Sequence, residues 1–487
     1  MRKARIILAV ATLIAAFTRT ATAHVGSPDV FYEGDAGPYH LFVTVRVPQV
    51  IPGLAEVEVR TGANNVQAIT TAVSRLTGPG SKYLPVPDLA IRSTADPRSF
   101  SAHLWLMELG SLRVLLNIKG ALGPAQLSVP VPSFGQTALP MPKALGALLL
   151  VLMIGLALGA IAIVAAAARE AGLAPGSEMP PEYRKRGLRA MTIMTILVVL
   201  IGWGGLSWWD ADAAAHARLA GFFKSPRCAA TVVGKLLVVR PSDPLWLENE
   251  KIEELVPDHG HIMHLFLVRA PGLDRLWHLH PLRTDHGTFE LKLPTVEAGH
   301  YAIFADLVDK YGFPWTLVGA IDLPDVAGQP LSGDDSFGST GAIQRTTAGD
   351  VSLLADGAKV IWKRDAQPLK ANVPMTLKFQ VLDQSGAPAG DLEPYMGMAA
   401  HAEVLRDDLS VFAHIHPSGS ASMAAMMMAS TAGPGGMSMA AMKLPTEKIT
   451  PDLSIPYGFP QPGRYRIFLQ FKRADRVETA SFDAHVE

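Results

Sequence analysis

Hydrophobic and polar positions follow three regimes along this chain. Between residues 24 and 143 apolar residues alternate with polar ones, or run briefly, between Pro and Gly turns. Examples are His40-Leu41-Phe42-Val43-Thr44-Val45-Arg46-Val47 and Ala55-Glu56-Val57-Glu58-Val59-Arg60. A period of two puts alternate side chains on opposite faces of a strand. Residues 100–106, 111–118 and 125–131 predict further strands, and short strands with frequent turns suggest a sandwich. Residues 144–168 and 190–209 instead carry no charged side chain over 25 and 20 positions, long enough to cross a bilayer. Beyond residue 228 the short strands return. The expected fold class is therefore mainly β: three immunoglobulin-like β-sandwich domains outside the membrane plus two transmembrane helices.

Charge placement orients this arrangement. Residues 1–23 have the pattern of a signal peptide, with Arg2, Lys3 and Arg5 before an apolar run and Ala21-Thr22-Ala23 at the cleavage site. The loop 169–189 holds Arg169, Arg184, Lys185, Arg186 and Arg189, which marks it as cytoplasmic by the positive-inside rule. Both large flanking regions then lie outside, which predicts a protein of the cytoplasmic (inner) membrane with domains facing the periplasm. Trp203, Trp208 and Trp209 fall where an aromatic belt belongs. Neither span contains an ionisable residue, so the spans predict an anchor rather than an ion path. Gly155 and Gly159 form a Gly-x-x-x-Gly pattern suited to helix packing.

The external region contains an internal repeat. Trp277-His278-Leu279-His280-Pro281 recurs as Ala413-His414-Ile415-His416-Pro417, and each copy is preceded by a strand that opens on a histidine, His264 or His401. A matching segment closes each copy, Gly299-His300-Tyr301-Ala302-Ile303-Phe304 and Gly463-Arg464-Tyr465-Arg466-Ile467-Phe468. In an extended strand His278 and His280 share a face, as do His414 and His416. A hairpin through Ala270-Pro271-Gly272-Leu273-Asp274, or through Asp407-Asp408, brings the lone histidine across from the pair. Two modules follow, residues 228–324 and 351–487, joined by an Asp/Gly/Ser-rich linker at 325–350. Three imidazoles converging on one face suit a metal ion with an open position; the alternative is that each satisfies a hydrogen bond beside a proline turn.

Sulfur narrows the metal. Nine of the 18 methionines lie between residues 396 and 442, and Met396, Met398, Met437 and Met439 are candidate thioether ligands, which favour Cu(I). The alternative is a Met-filled apolar loop packed on a sandwich. Cleavage after Ala23 would leave His24 as a terminal amine-imidazole chelate suited to Cu(II), with His40 or His103 as a third nitrogen; cleavage elsewhere leaves His24 an ordinary residue. Copper, as Cu(I) or Cu(II), is the expected cofactor, with zinc as the alternative.

Composition excludes several classes. Basic and acidic residues balance at 43 and 44, so no overall basic field points to nucleic acid. The single cysteine, Cys228, rules out an intramolecular disulfide and reads as a buried apolar residue. There is no Ser-centred elbow, phosphate-binding glycine loop or His-Glu-x-x-His, so nothing marks an enzyme.

The residues Tyr395-Met396-Gly397-Met398-Ala399-Ala400-His401, Val411-Phe412-Ala413-His414-Ile415-His416-Pro417, Phe459-Pro460-Gln461-Pro462-Gly463-Arg464-Tyr465 and Phe468-Leu469-Gln470-Phe471 resemble the C-terminal β-sandwich of bacterial exported heavy-metal-associated proteins. The resemblance covers the last quarter of the chain and implies an immunoglobulin-like fold in a periplasmic, metal-linked setting. The Met-rich insertion after Pro417 departs from that pattern. The segment 36–59, from Ala36-Gly37-Pro38-Tyr39 through Ile51-Pro52-Gly53-Leu54-Ala55-Glu56-Val57-Glu58-Val59, resembles YtkA-like and FixH-like exported β-domains. Two functions are expected: a membrane-anchored protein that binds, buffers or delivers copper, or a non-catalytic interaction module of a cell-envelope complex. The partners would be the metal ion and a cell-envelope membrane protein or metalloprotein acceptor.

Overall fold

The computed structural model describes residues 29–431 and 448–487, apart from 138, 175, 285–286, 342, 347–348 and 365–366. The signal-peptide segment, His24, Met437 and Met439 lie outside the described residues. The chain divides into two compact units, Thr137–Phe223 and the remainder.

The smaller unit is a pair of helices, Lys143–Glu170 and Pro181–Phe222, both long and apolar enough to cross a membrane. The second is longer than expected. It takes in the basic residues 184–189 at its start and residues 210–222 beyond the expected span at its end, because no proline interrupts the segment between Pro181 and Phe222. Where the helices approach, Gly187 is the close contact: an added methyl there would lie 3.0 Å from Arg169 Cβ and 3.2 Å from the Ala165 carbonyl. A methyl on Gly155 or Gly159 would meet nothing. The Gly-x-x-x-Gly pattern is therefore not used within this pair.

The larger unit is antiparallel β. In its N-terminal part Val30–Ala36, Tyr39–Arg46, Gly53–Thr61, Ser99–Leu106 and Ile91–Arg92 form one sheet. Asp88–Leu89, Val66–Arg75, Gly110–Gly120 and Gly123–Ser133 form the other. Alternate residues of the two sheets, among them Leu41, Val43, Val57, Val114, Leu116, Leu127 and Val129, share one buried core. The strands expected from alternation are all present.

Each histidine module also has two sheets. In the first, His264–Arg269 lies between Arg275–Leu279 and Gly299–Val308, pairing Phe266 with His278 and with Phe304. In the second, His401–Arg406 lies between Phe412–Ile415 and Gly463–Arg473, pairing Glu403 with His414 and with Phe468. The expected hairpins and closing strands are thus found in the same register in both modules. The segment 325–350 is more than a linker, because Ser336–Ser339 within it pairs with Arg275–Leu279 as the edge of the first module's sheet. There Gly338 admits the second module: a methyl on it would come within 2.5 Å of Thr479.

These two histidine-bearing sheets face each other. Phe266, Val268, Leu276, Ala302 and Phe304 of the first module pack with Leu405, Phe412 and Phe468 of the second. Phe304 and Phe412 stack nearly parallel, with centroids 4.3 Å apart. The N-terminal sandwich is fastened beside them. Its strand Val30–Ala36 bridges Tyr32 to Gly419, just past His416, and Phe31 enters the second module's core against Tyr457.

Replacing Phe304 with alanine should remove the stacked ring from this interface and lower stability by about 3–5 kcal/mol. Urea denaturation of the detergent-solubilised chain, comparing wild type with Phe304→Ala, measures this directly. A change below about 1 kcal/mol would show that the two sheets do not depend on each other.

Candidate metal centre

One end of this apolar interface is a continuous bed of eight histidine rings: His259, His261, His264, His278, His280, His401, His414 and His416. Neighbouring centroids lie 3.9–6.1 Å apart. Hairpin register explains the placement, since the pairing of Phe266 with His278 carries His264 level with His280, and that of Glu403 with His414 carries His401 level with His416. Five of the eight (His264, His278, His280, His401 and His416) are buried as whole residues.

His264, His278 and His280 meet as expected, each offering a ring nitrogen within 4.8 Å of the others. Their outer nitrogens are committed to acceptors. His264 Nε2 lies 3.0 Å from the Asp258 carbonyl, His278 Nδ1 2.9 Å from Gln470 Oε1, and His280 Nδ1 3.0 Å from Asp335 Oδ1. The Gln470 amide is itself oriented, because its Nε2 donates to Ser336 Oγ at 2.7 Å. Each outer nitrogen must therefore carry the hydrogen, which fixes the tautomer. The inner nitrogens, His264 Nδ1, His278 Nε2 and His280 Nε2, are left as lone pairs. His264 Nδ1 and His278 Nε2 face each other at 3.1 Å, where neither has a proton to give. Two nitrogens on one tetrahedral ion with bonds of about 2.0–2.1 Å sit roughly 3.3 Å apart. The donor set fits a metal ion.

The second expected trio is regrouped. His414 turns Nδ1 towards Asp306 at 3.4 Å, and His259 of the first module joins His401 and His416 in its place, again with nitrogens within 4.8 Å. His259 donates from Nδ1 to the Met396 carbonyl at 2.8 Å. Its Nε2 and both ring nitrogens of His401 and His416 are buried with no hydrogen-bond partner among the described residues. His259 was legible in the repeat. Pro257-Asp258-His259-Gly260-His261 aligns with Pro394-Tyr395-Met396-Gly397-Met398, and His259 and Met396 share φ 49°. In these matched turns the candidates Met396 and Met398 stand where the first module has His259 and His261. Met396 meets His259 through its carbonyl, and Met398 is buried.

Two methionines of the insertion, Met426 and Met428, are placed differently from expectation. Met423–Thr431 is a helix, and Met426 is buried in the N-terminal sandwich's core. Met428 packs beside Leu76, Ala425 and Ala429. These two thioethers serve as apolar packing, not as an exposed cluster, and the helix reaches the site where Ala424 N donates to Asp258 Oδ1 at 2.7 Å. His40 is held by Asp35 and Glu33. Burial pushes the Cys228 thiol up to about 12, consistent with an inert apolar residue.

Burial, reinforced by the neighbouring imidazoles, holds His264, His278, His401 and His416 well below the ordinary histidine range. Burial likewise pushes the fully buried Glu403 carboxyl well above its usual range. These four rings are therefore neutral, with lone pairs available.

A family of domains of unknown function (DUF8832) matches residues 352–487, the second histidine module. No curated protein matches the chain. Among solved structures, the ICAM-5 D1–D4 ectodomain fragment is 8% identical over 93% of this chain and 77% of that one, with a TM-score of 0.16. Latent PorU from Porphyromonas gingivalis is 8% identical over 90% and 32%, at 0.14. Escherichia coli alpha-2-macroglobulin is 10% identical over 93% and 35%, at 0.19. At these scores none bears on the arrangement described above.

Without metal, the centre should make the protein acid-sensitive. Unfolded histidines bind protons near pH 6.5, whereas the four strongly shifted ones stay neutral when folded, so proton uptake favours unfolding. Stability should be complete above about pH 7.5 and fall below about 6.5, by up to 1.4 kcal/mol per pH unit for each imidazole. Glu403 acts in the opposite sense, one group against four. Melting temperatures in chelator between pH 8 and 5 test this, and a flat profile would contradict the burial of neutral rings.

Proposed function

We propose that this chain is a membrane-anchored metal-binding protein of the cell envelope that holds copper at His264, His278 and His280 for buffering or delivery. The carrying observation is that three buried imidazoles each have one nitrogen pinned as a donor and each offer a ring nitrogen within 4.8 Å of the others. Acceptors that fix the outer nitrogen are the usual support of metal-bound histidine. A set of histidines serving only the fold would use inner nitrogens as well as outer ones. Binding would require neutral rings, and burial supplies them without competition from protons at neutral pH. Imidazole alone suits copper and zinc alike; the Met-Gly-Met turn aligned with His259-Gly260-His261 favours copper. The helical anchor and the basic residues 184–189 support an outward-facing location at the cytoplasmic membrane.

The test is bound metal and melting temperature measured on the same variants. His280→Ala should lose the ion. Gln470→Leu should keep the fold but weaken binding by about 10–100-fold, because His278 loses the acceptor that fixes its tautomer. Unchanged metal content in both would mean that the histidines serve the fold alone, as in an envelope interaction module. Orientation is checked separately: protease added to spheroplasts should digest the β unit and spare the residues between the two helices. A protected β unit would overturn the outward location.

A further inference from the structure

We infer that His259, His401 and His416 form a second transition-metal site, separate from the first, whose ion joins the two histidine modules. His259 comes from the first module's turn, whereas His401 and His416 come from the second module's hairpin. Their nitrogens lie within 4.8 Å of one another, and the three ring centroids are 4.9–5.0 Å apart. His401 is wholly buried, yet neither of its ring nitrogens has a hydrogen-bond partner among the described residues, and the same holds for His416 and for His259 Nε2. A buried polar group left unpaired keeps its full desolvation penalty. Five such nitrogens on three rings in one place is a large debt for a fold to carry without a ligand.

The donors specify the ligand class. All three are imidazoles, and among the described residues no cysteine or carboxylate joins the set that converges here. A borderline divalent ion such as Co(II), Zn(II) or Cu(II) suits imidazole nitrogen. The site also differs from the first in its support. Every ring of the first trio has its outer nitrogen fixed by an acceptor. Here only His259 has such a hydrogen bond, through the Met396 carbonyl. His416 lies beside the Gly419 and Ala421 backbone, but neither ring nitrogen reaches hydrogen-bond geometry, and His401 has no partner among the described residues, so the second site should bind more weakly than the first. Because its ligands belong to both modules, an ion here would tie together the strands that open on His264 and His401.

The experiment is a Co(II) titration of the full chain in detergent, following the visible spectrum of tetrahedral cobalt. Wild type should bind two equivalents in two steps. His259→Asn removes Nε2, while asparagine tolerates the left-handed backbone at this position; it should bind one equivalent. His280→Ala, which disables the first site, should also bind one. Hydrogen exchange in the strands His264–Arg269 and His401–Arg406 should slow on saturation with Co(II) in wild type but not in His259→Asn. Two equivalents retained by His259→Asn, with one lost in His280→Ala, would overturn this inference and leave the proposed function standing. One equivalent lost only in His259→Asn would do the reverse, and no binding by wild type would remove both. If His259→Asn fails to fold, His416→Ala carries the same expectations.

Discussion

The centre of this protein depends on keeping buried imidazoles uncharged between two packed sheets. A protonated ring would have to give up its hydration on entering the interface between the sheets. Asp335 and Asp306 lie beside His280 and His414, but the fully buried Glu403, 3.9 Å from His278, is itself driven to the neutral form by burial. Desolvation therefore selects neutral histidine, and neutral histidine must choose which nitrogen carries its single hydrogen. The Asp258 carbonyl, Gln470 and Asp335 make that choice for the first trio. Packing, protonation and donor direction are one constraint seen at three scales.

The same constraint explains why the two modules are coupled through their side chains. His278 of the first module is fixed by Gln470 of the second, while His414 of the second reaches Asp306 of the first. Gln470 and Asp306 occupy equivalent positions, each paired across the sheet with the histidine that opens its own module's central strand. Each half thus supplies the support of the other half's ring. The correspondence is imperfect in a few places: Phe266 answers to Glu403, and His259 to Met396. Those differences fall at the histidine cluster, while the strand registers around it are preserved.

Much of this was legible in the sequence. Period-two alternation marked the N-terminal strands, because one face of each is buried and the other is not. The duplicated His-x-His-Pro gave the hairpins and the faces of six histidines. What it could not give was which rings meet across the interface, since hairpin geometry is local and the docking of two sheets is not. His414 was therefore grouped with its sequence neighbours when its Nδ1 turns to Asp306, and His259 was passed over although its turn repeats at Met396. Met426 and Met428 depart from the expected exposed cluster for another reason. Composition cannot distinguish a thioether that faces a ligand from one that fills a core, and Met426 found its partners about 300 residues away in the N-terminal sandwich.

The face-to-face arrangement of two matched sheets is what two copies of one subunit would form about a two-fold axis. Here both copies are on one chain. A dimer's shared site disappears on dilution, when the subunits separate. A covalent pair keeps its local concentration whatever the abundance of the protein, so side chains drawn from both halves remain assembled even when the protein is scarce. Joining the halves also releases them from identity: a symmetric dimer changes both sites with every substitution, but this chain can alter one and keep the other.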